Sequence, residues 1–322
     1  MSNSVTIRVP ARLHLGFLDL NGDVGRRFGS VGLPLSEPET VVTLSRAAVT
    51  SVEGSEAARA ERHLSALCLH LGIRSGHRLV VSQAIPSHAG LGSGTQIALA
   101  VAAALRTLHG LPLDMAGDAV LLARGARSGI GIAGFASGGV IVDAGRSDSG
   151  APPPVVARLP FPEEWRVLLI LDDAVEGLHG QDELKAFGSL PPFPATDAGE
   201  ICRQVLMRLM PALVERDLAA FGAAVTTIQT IIGTHFAPAQ GGVFTSKRVE
   251  ALARMLADAG AIGIGQSSWG PTGFAFAASE DEARRLVDTV GHAVAPENEI
   301  RIVRGRNAGA RISPVALDLV GT

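Results

Sequence analysis

The segment Pro86-Ser87-His88-Ala89-Gly90-Leu91-Gly92-Ser93-Gly94-Thr95 carries the strongest local chemistry in the chain. Alternate glycines remove the Cβ atoms that would hold a backbone away from a large anion. The residues that follow are strong helix formers, so the free N–H groups of a helix start face whatever the loop encloses. Such a loop cradles phosphate. Ser93 and Thr95 add hydroxyls suited to phosphate oxygens or to a hydrated Mg²⁺ ion. The same residues also suit a plain strand-to-helix turn with a Ser or Thr cap. Spacing excludes two other phosphate loops. No Lys-Ser/Thr pair follows, as a Walker motif requires, and the dinucleotide pattern G-x-G-x-x-G with an acidic residue roughly 20 positions on does not fit.

Near the N-terminus, Arg12 and His14 alternate with Leu13 and Leu15, which on a strand puts both polar side chains on one face. A third glycine-bearing stretch, Gly265-Gln266-Ser267-Ser268-Trp269-Gly270, combines amide and hydroxyl groups with an aromatic surface. The two cysteines, Cys68 and Cys202, sit among apolar residues at helical spacing without a metal-ligand pattern, and are expected to be buried free thiols.

Taken together, the motifs resemble the GHMP superfamily of galacto-, homoserine, mevalonate and phosphomevalonate kinases. Pro86-x3-Gly90-Leu91-Gly92-Ser93 before a helix is similar to its phosphate loop, Pro10-Ala11-Arg12-Leu13-His14-Leu15-Gly16-Phe17 to its N-terminal motif, and Gly263 to Phe274 to its late glycine segment. The resemblance implies an α+β, two-domain fold: a ribosomal protein S5 domain 2-like domain over 1–152 and a ferredoxin-like domain over 153–322, with a ligand cleft between them. The kinase pattern then fails at one point. Where these kinases carry the Asp regarded as the base for the acceptor hydroxyl, the segment Ser128-Gly129-Ile130-Gly131 has Gly131. Gly94 likewise stands where a second Ser is usual. Loss of a general base typically costs a factor of about 10² to 10⁴ in rate.

One branch of the superfamily accommodates these departures. The strings 12–33 (RLHLGFLDLNGDVGRRFGSVGL), 127–145 (RSGIGIAGFASGGVIVDAG) and 265–274 (GQSSWGPTGF) resemble the β-ribofuranosylaminobenzene 5′-phosphate synthases of methanopterin biosynthesis. That resemblance implies decarboxylating transfer of a phosphoribosyl group from 5-phosphoribosyl 1-diphosphate to 4-aminobenzoate, or 4-hydroxybenzoate in some members, with release of CO2 and diphosphate. It implies that Gly90, Gly92, Ser93, Gly94 and Thr95 hold either the diphosphate or the 5′-phosphate. Asp19 and Arg26, within the string that plain kinases lack, become catalytic candidates together with His14. Asp19 would ligate Mg²⁺ or orient the amino group, with Ser93 as a second Mg²⁺ ligand, and Arg26 would pair with a carboxylate or phosphate. Both also suit bland roles, since Asp19-Leu20-Asn21-Gly22 is good turn chemistry and Arg26-Arg27 an ordinary surface pair. Arg12, Gln266, Ser267, Ser268 and Trp269 are expected to bind substrate, Trp269 by stacking on an aryl ring. His235, Gln240 and Lys247, near Gly241-Gly242, are further anion-facing candidates. A kinase with a displaced base, Asp19 or Asp143, and a non-catalytic phosphate-sensing protein are the competing functions.

The positioning elements follow from periodicity. Expected strands are Val5 to Leu20, Thr40 to Leu44, Arg78 to Ala84, Gly139 to Ala144, Trp165 to Leu171, Ala261 to Gly265, Gly273 to Ala277 and Glu299 to Arg304. Expected helices run through Leu64 to Leu71, Thr95 to His109, Leu113 to Arg127, Glu200 to Leu218, Ala219 to Thr234, Lys247 to Ala259 and Glu280 to His292. The proline run in 147–156 (SDSGAPPPVV) marks the domain boundary. A length of 322 residues suits two domains, and 47% hydrophobic with 18% charged residues supplies a packed core. A net charge of −3 without a run of like charges argues against nucleic-acid or membrane-surface partners. All but two of the 28 basic side chains are Arg, so an Arg at a given position carries little signal by itself. The absence of a signal pattern and of an apolar span leads to a cytoplasmic assignment, and the family resemblance to a homodimer with small-molecule substrates.

Overall fold

The computed structural model describes residues 3–147, 150–177 and 180–315. In chain order its elements are β1 (Ser4–Asp19), β2 (Phe28–Ala47), β3 (Ser51–Gly54), α1 (Ala57–Leu71), β4 (Gly76–Gln83), α2 (Ser93–Leu108), α3 (Met115–Leu121), α4 (Ile130–Ala136), β5 (Val140–Asp143), β6 (Val155–Leu159) and β7 (Arg166–Asp172). There follow α5 (Gly180–Ser189), α6 (Ala195–Gln204), a π-helical turn (Val205–Leu209), α7 (Met210–Glu215), α8 (Leu218–Gln240), α9 (Lys247–Asp258), β8 (Ile262–Gln266), β9 (Gly273–Ala277), α10 (Glu280–Val290), β10 (Asn298–Val303) and β11 (Arg311–Val315).

Two sheets organise the molecule. The first runs β11-β1-β2-β4-β3, with β5 paired to β2 and β6 to β5; the second runs β10-β7-β9-β8. The second is antiparallel at every pairing and is backed by α9 and α10, as the ferredoxin-like expectation requires. The halves are not cut where the prolines suggested. β6 lies beyond residue 152 yet extends the first sheet, and β11 returns from the end of the described chain to pair with β1, Ile7 opposite Ile312. Neither pairing is legible in a strand's own sequence, because both are long-range.

Helix α2 is apolar on every side and is buried between the first sheet and neighbouring helices, with residues 98–105 at zero exposure. Its start is therefore held in place. Helix α9 is instead amphipathic, capped by Ser246, whose hydroxyl accepts from the Val249 N–H at 3.2 Å. A single apolar cluster joins Leu13, Leu15 and Phe17 of β1 to Phe221 of α8 and Phe276 of β9, so both halves share one core. The continuous helix expected over 113–127 stops at Leu121, because Ala123 and Gly125 adopt left-handed conformations (φ 54° and 77°). A loop carrying Arg124 and Arg127 results. Cys68 is half-buried but Cys202 is exposed on α6, correcting the expectation of a second buried thiol.

Candidate active site

A cleft of about 480 Å³ opens at the glycine loop. Its walls come from β1 (Arg12, His14, Phe17), α1 (Arg59), the loop and start of α2 (His88, Gly90 to Thr95 without Leu91), the loop before α4 (Arg124, Arg127, Ser128) and the second half (Ser268, Trp269). That volume suits a small-molecule substrate. Four arginines face it, and among the described residues no Asp or Glu lines it.

The bends of β1 explain how Arg12 and His14 reach the cleft. Its pairing to β2 is interrupted between Pro10 and Arg12 and again between His14 and Gly16, and such bulges re-aim the side chains between them. Arg12 closes against the loop: its Nη1 donates to the Gly90 carbonyl at 2.5 Å, and its backbone N–H donates to the Leu91 carbonyl at 3.1 Å. Ser267 is fully buried at the same junction, accepting from the His14 N–H at 3.0 Å and donating to the Gly90 carbonyl at 2.8 Å. One carbonyl thus ties the first sheet, the loop and the second half together. Gly90 (φ 78°) cannot be replaced without strain, since a Cβ there would lie 2.1 Å from the Ser267 carbonyl oxygen.

His14 is 3% exposed, and its Nε2 has no hydrogen-bond partner among the described residues. Burial, then the charges of Arg12 and Arg127, hold its pKa down at about 3, so the imidazole is neutral at physiological pH. It also lines a small second cavity with Gln229, Phe236 and Gln266. Beside it lies an aromatic wall: Phe17 at 4.5 Å between ring centroids, and Trp269 stacked on Phe236 at 4.2 Å and 24°. The Trp269 Nε1 has no partner among the described residues. Arg127 stacks over Phe187 at 5.4 Å and carries positive charge into this aromatic end.

The expected site residues divide accordingly. Arg12, His14, Gly90, Gly92, Ser93, Gly94, Thr95, Ser268 and Trp269 meet in the cleft, whereas Ser267 and Gln266 stand behind it. Gln266 donates through its N–H to Gln229 Oε1 at 2.7 Å, and Gln229 Nε2 reaches the Leu15 carbonyl, so it braces the interface of the halves. Asp19 and Arg26, expected to touch substrate, are not among the residues lining this cleft. The Asp19 Oδ1 accepts from the N–H groups of Asn21 (2.7 Å) and Gly22 (3.1 Å), closing a turn, while Arg26 clamps the carbonyls of Ala144 (2.8 Å) and Gly145 (2.7 Å). These bonds suit a structural role for both. We expect Asp19→Ala and Arg26→Ala each to lose about 1–3 kcal/mol of stability, seen as a lower Tm, with turnover per folded molecule within a few-fold of the parent.

The further anion candidates also lie elsewhere. His235 packs edge-on against Phe193, Gln240 accepts from Gln266 Nε2, and Lys247 pairs with Glu250 at 3.1 Å. Asp143 is fully buried on β5, its oxygens accepting from the N–H groups of Gly129 and Gly145, both at 2.9 Å, and burial pushes its pKa up to about 6. It buttresses the loop before α4 instead of replacing the missing kinase base. Gly131 itself lines the cleft, and a Cβ at that position would press to 2.9 Å from the Thr95 methyl.

The described residues of the cleft do not fit a Mg²⁺ ion held by the protein. Mg²⁺ takes oxygen ligands, most often one or two carboxylates completed by substrate phosphates. Here Ser93 alone of the two expected ligands reaches the cleft, and among the described residues no group of three His, Cys, Asp or Glu is placed to hold a metal. Positive charge in the cleft comes from Arg12, Arg59, Arg124 and Arg127. Arg59, Arg124 and Arg127 were not singled out by sequence, since they arise from α1 and a loop expected to be helical.

Comparison with known proteins agrees with this architecture. Models described as "GHMP kinases N terminal domain" and "GHMP kinases C terminal" match residues 57–142 and 209–295. The chain is similar to solved structures of homoserine kinase from Cytophaga hutchinsonii (TM-score 0.72, 19% identity, 97% of this chain and 98% of that one) and of mevalonate diphosphate decarboxylase from Enterococcus faecalis (TM-score 0.67, 15% identity, 98% and 100%). These establish the GHMP fold. Among the described residues no helix is long and apolar enough to cross a membrane. Two relatives named beta-ribofuranosylphenol 5′-phosphate synthase are closer in sequence. The one from Methanothermobacter thermautotrophicus is 34% identical over 94% of this chain and 97% of its own length, and the one from Archaeoglobus fulgidus 36% identical over 84% and 86%. The chain therefore belongs to the beta-ribofuranosylphenol 5′-phosphate synthase family, built on the GHMP kinase fold.

Proposed function

We propose that this protein transfers the phosphoribosyl group of 5-phosphoribosyl 1-diphosphate to the carboxylate-bearing ring carbon of 4-hydroxybenzoate, releasing CO2 and diphosphate, as a step of tetrahydromethanopterin biosynthesis. The observation that carries the reading is the cleft itself: a glycine loop and four arginines with an aromatic end, and glycine at position 131. The kinases it resembles carry there the Asp regarded as their base. The name shared by the relatives, which specifies a phenol product, supports 4-hydroxybenzoate over the 4-aminobenzoate expected first.

In this reading the loop N–H groups and Arg12 bind the diphosphate, and Mg²⁺ enters with that anion as part of the substrate. Diphosphate leaves with the C1–O electron pair, drawn by the guanidinium charge that lines the cleft. The aryl ring lies against Phe17 and Trp269 with its carboxylate toward Arg127 and its hydroxyl toward His14. Neutral His14 accepts the hydroxyl proton as the ring carbon bonds to C1. It returns that proton when CO2 departs and leaves its bonding pair in the ring. No net proton is consumed, and no covalent enzyme intermediate is required.

The test is incubation of the protein with Mg²⁺, 5-phosphoribosyl 1-diphosphate and carboxyl-labelled 4-hydroxybenzoate or 4-aminobenzoate. Labelled CO2 is expected with the hydroxy acid, dependent on the phosphoribosyl donor. No release with either acid sinks the proposal, and release with the amino acid alone reverses the choice of acceptor.

A further inference from the structure

Two separate cationic groups flank the glycine loop. On one side Arg12 packs so closely that a Cβ on Gly92 would lie 3.2 Å from its Nε, and this side continues to His14 and the aromatic wall. On the other, a Cβ on Gly94 would lie 3.2 Å from Nη1 of Arg124, so the missing side chain lets that guanidinium settle over the start of α2. Arg59 joins Arg124 there, braced by Glu56 at 3.1 Å and Ser87 Oγ at 3.3 Å. Behind them His63 is 7% exposed, and neither its Nε2 nor the buried Nε of Arg124 has a partner among the described residues.

Such a group is unfavourable as it stands. Burial and the neighbouring charges of Arg59 and Arg62 lower the Arg124 pKa, and burial, then the charges of Arg124, Arg59 and Arg62, takes His63 down to about 4. Desolvated like charges, of which Arg59 is paired with Glu56, are stabilised by an incoming anion.

We propose that Arg124 and Arg59, with Ser93 and His63, form a second anion subsite that takes the 5′-phosphate monoester of the donor, while Arg12 and the glycine loop take its diphosphate. The assignment rests on the phosphoribosyl-transfer reading above. It follows from the order of groups in the substrate. Diphosphate leaves from C1, and C1 must face the aryl ring at the Phe17 and Trp269 end, which is the Arg12 side. The 5′-phosphate sits across the ribose from C1 and reaches the other side of the loop. It takes no part in bond making, so its subsite contributes to binding with little change between ground and transition states.

Calorimetric titration of the full chain with two probes, ribose 5-phosphate and inorganic diphosphate, separates the subsites. Arg124→Gln is expected to weaken ribose 5-phosphate roughly 10- to 100-fold while diphosphate changes no more than about threefold, and Arg12→Gln to do the reverse. Arg59→Gln is the second variant, with the same expected direction as Arg124→Gln, should the latter fail to fold by circular dichroism. In turnover, Arg124→Gln raises KM for the donor and leaves kcat near the parent value. Equal weakening of both probes by Arg124→Gln and Arg59→Gln, or a reversed pattern, overturns the assignment and leaves the reaction intact. If the parent protein binds neither probe at millimolar concentration, the phosphoribosyl reading itself falls.

Discussion

Arg12→Ala is expected to lower kcat/KM for labelled CO2 release by about 10² to 10³. That is the scale for removing one charged group aimed at a departing oxyanion. The side chain does two things whose loss would compound. Its Nη1 holds the Gly90 carbonyl, fixing the loop that offers its N–H groups to the diphosphate, and its charge faces the bond that breaks. The fold should survive, because the link from β1 to the loop through the Arg12 N–H and the Leu91 carbonyl belongs to the backbone, and the His14 N–H still donates to the Ser267 hydroxyl. Arg12→Lys keeps the charge but not the forked donor geometry, so partial recovery is expected. A change of less than threefold for Arg12→Ala, with an unaltered Tm, would show that the diphosphate is held elsewhere in the cleft.

How much of this was readable beforehand depended on whether the signal was local. The glycine loop, the alternation of Arg12 with His14 and the glycine at 131 are local, and each lands where its pattern placed it. The arginines opposite them are not. Arg59 lies on a helix face, and Arg124 and Arg127 lie on a loop created by two left-handed residues, Ala123 and Gly125, in a stretch whose composition suits a helix. In a chain where nearly all basic residues are Arg, no pattern separates those three from Arg106, which is buried in a salt bridge with Asp118 at 2.7 Å. Asp19 and Arg26 differ from the cleft residues for a related reason. Their types suit catalysis, but Asp19 Oδ1 closes a turn and Arg26 holds two carbonyls, contacts that only the folded geometry reveals. The returning strand β11 likewise depends on a partner some 300 residues away in sequence.

His14 carries the other large effect, and two independent readouts bear on it. His14→Gln keeps a hydrogen-bonding side chain but no proton acceptor, and kcat is expected to fall by about 10² to 10⁴. Because the parent imidazole titrates near 3, it stays neutral through the range in which an ordinary histidine would protonate, and it imposes no acid limb near pH 6.5 on kcat/KM. The second readout needs no substrate. Unfolded, His14 takes up a proton near pH 6.5; folded, it does so only near 3, so the unfolded state binds more protons between these values. Its contribution is present in full above pH 6.5 and is lost as pH falls toward 3. By pH 4.5 the loss amounts to about 2–3 kcal/mol. His63, held at about 4, acts with the same sign, whereas Asp143, raised to about 6, acts with the opposite one between pH 4 and 6. The absolute profile mixes all three, but the parent-minus-variant difference isolates His14. Urea unfolding of the parent and of His14→Gln at pH 7 and pH 4.5 should show the variant losing about 2–3 kcal/mol less on acidification. Parallel losses would mean that the imidazole is solvated and titrates normally, so that burial beside Arg12 and Arg127 does not set its protonation state.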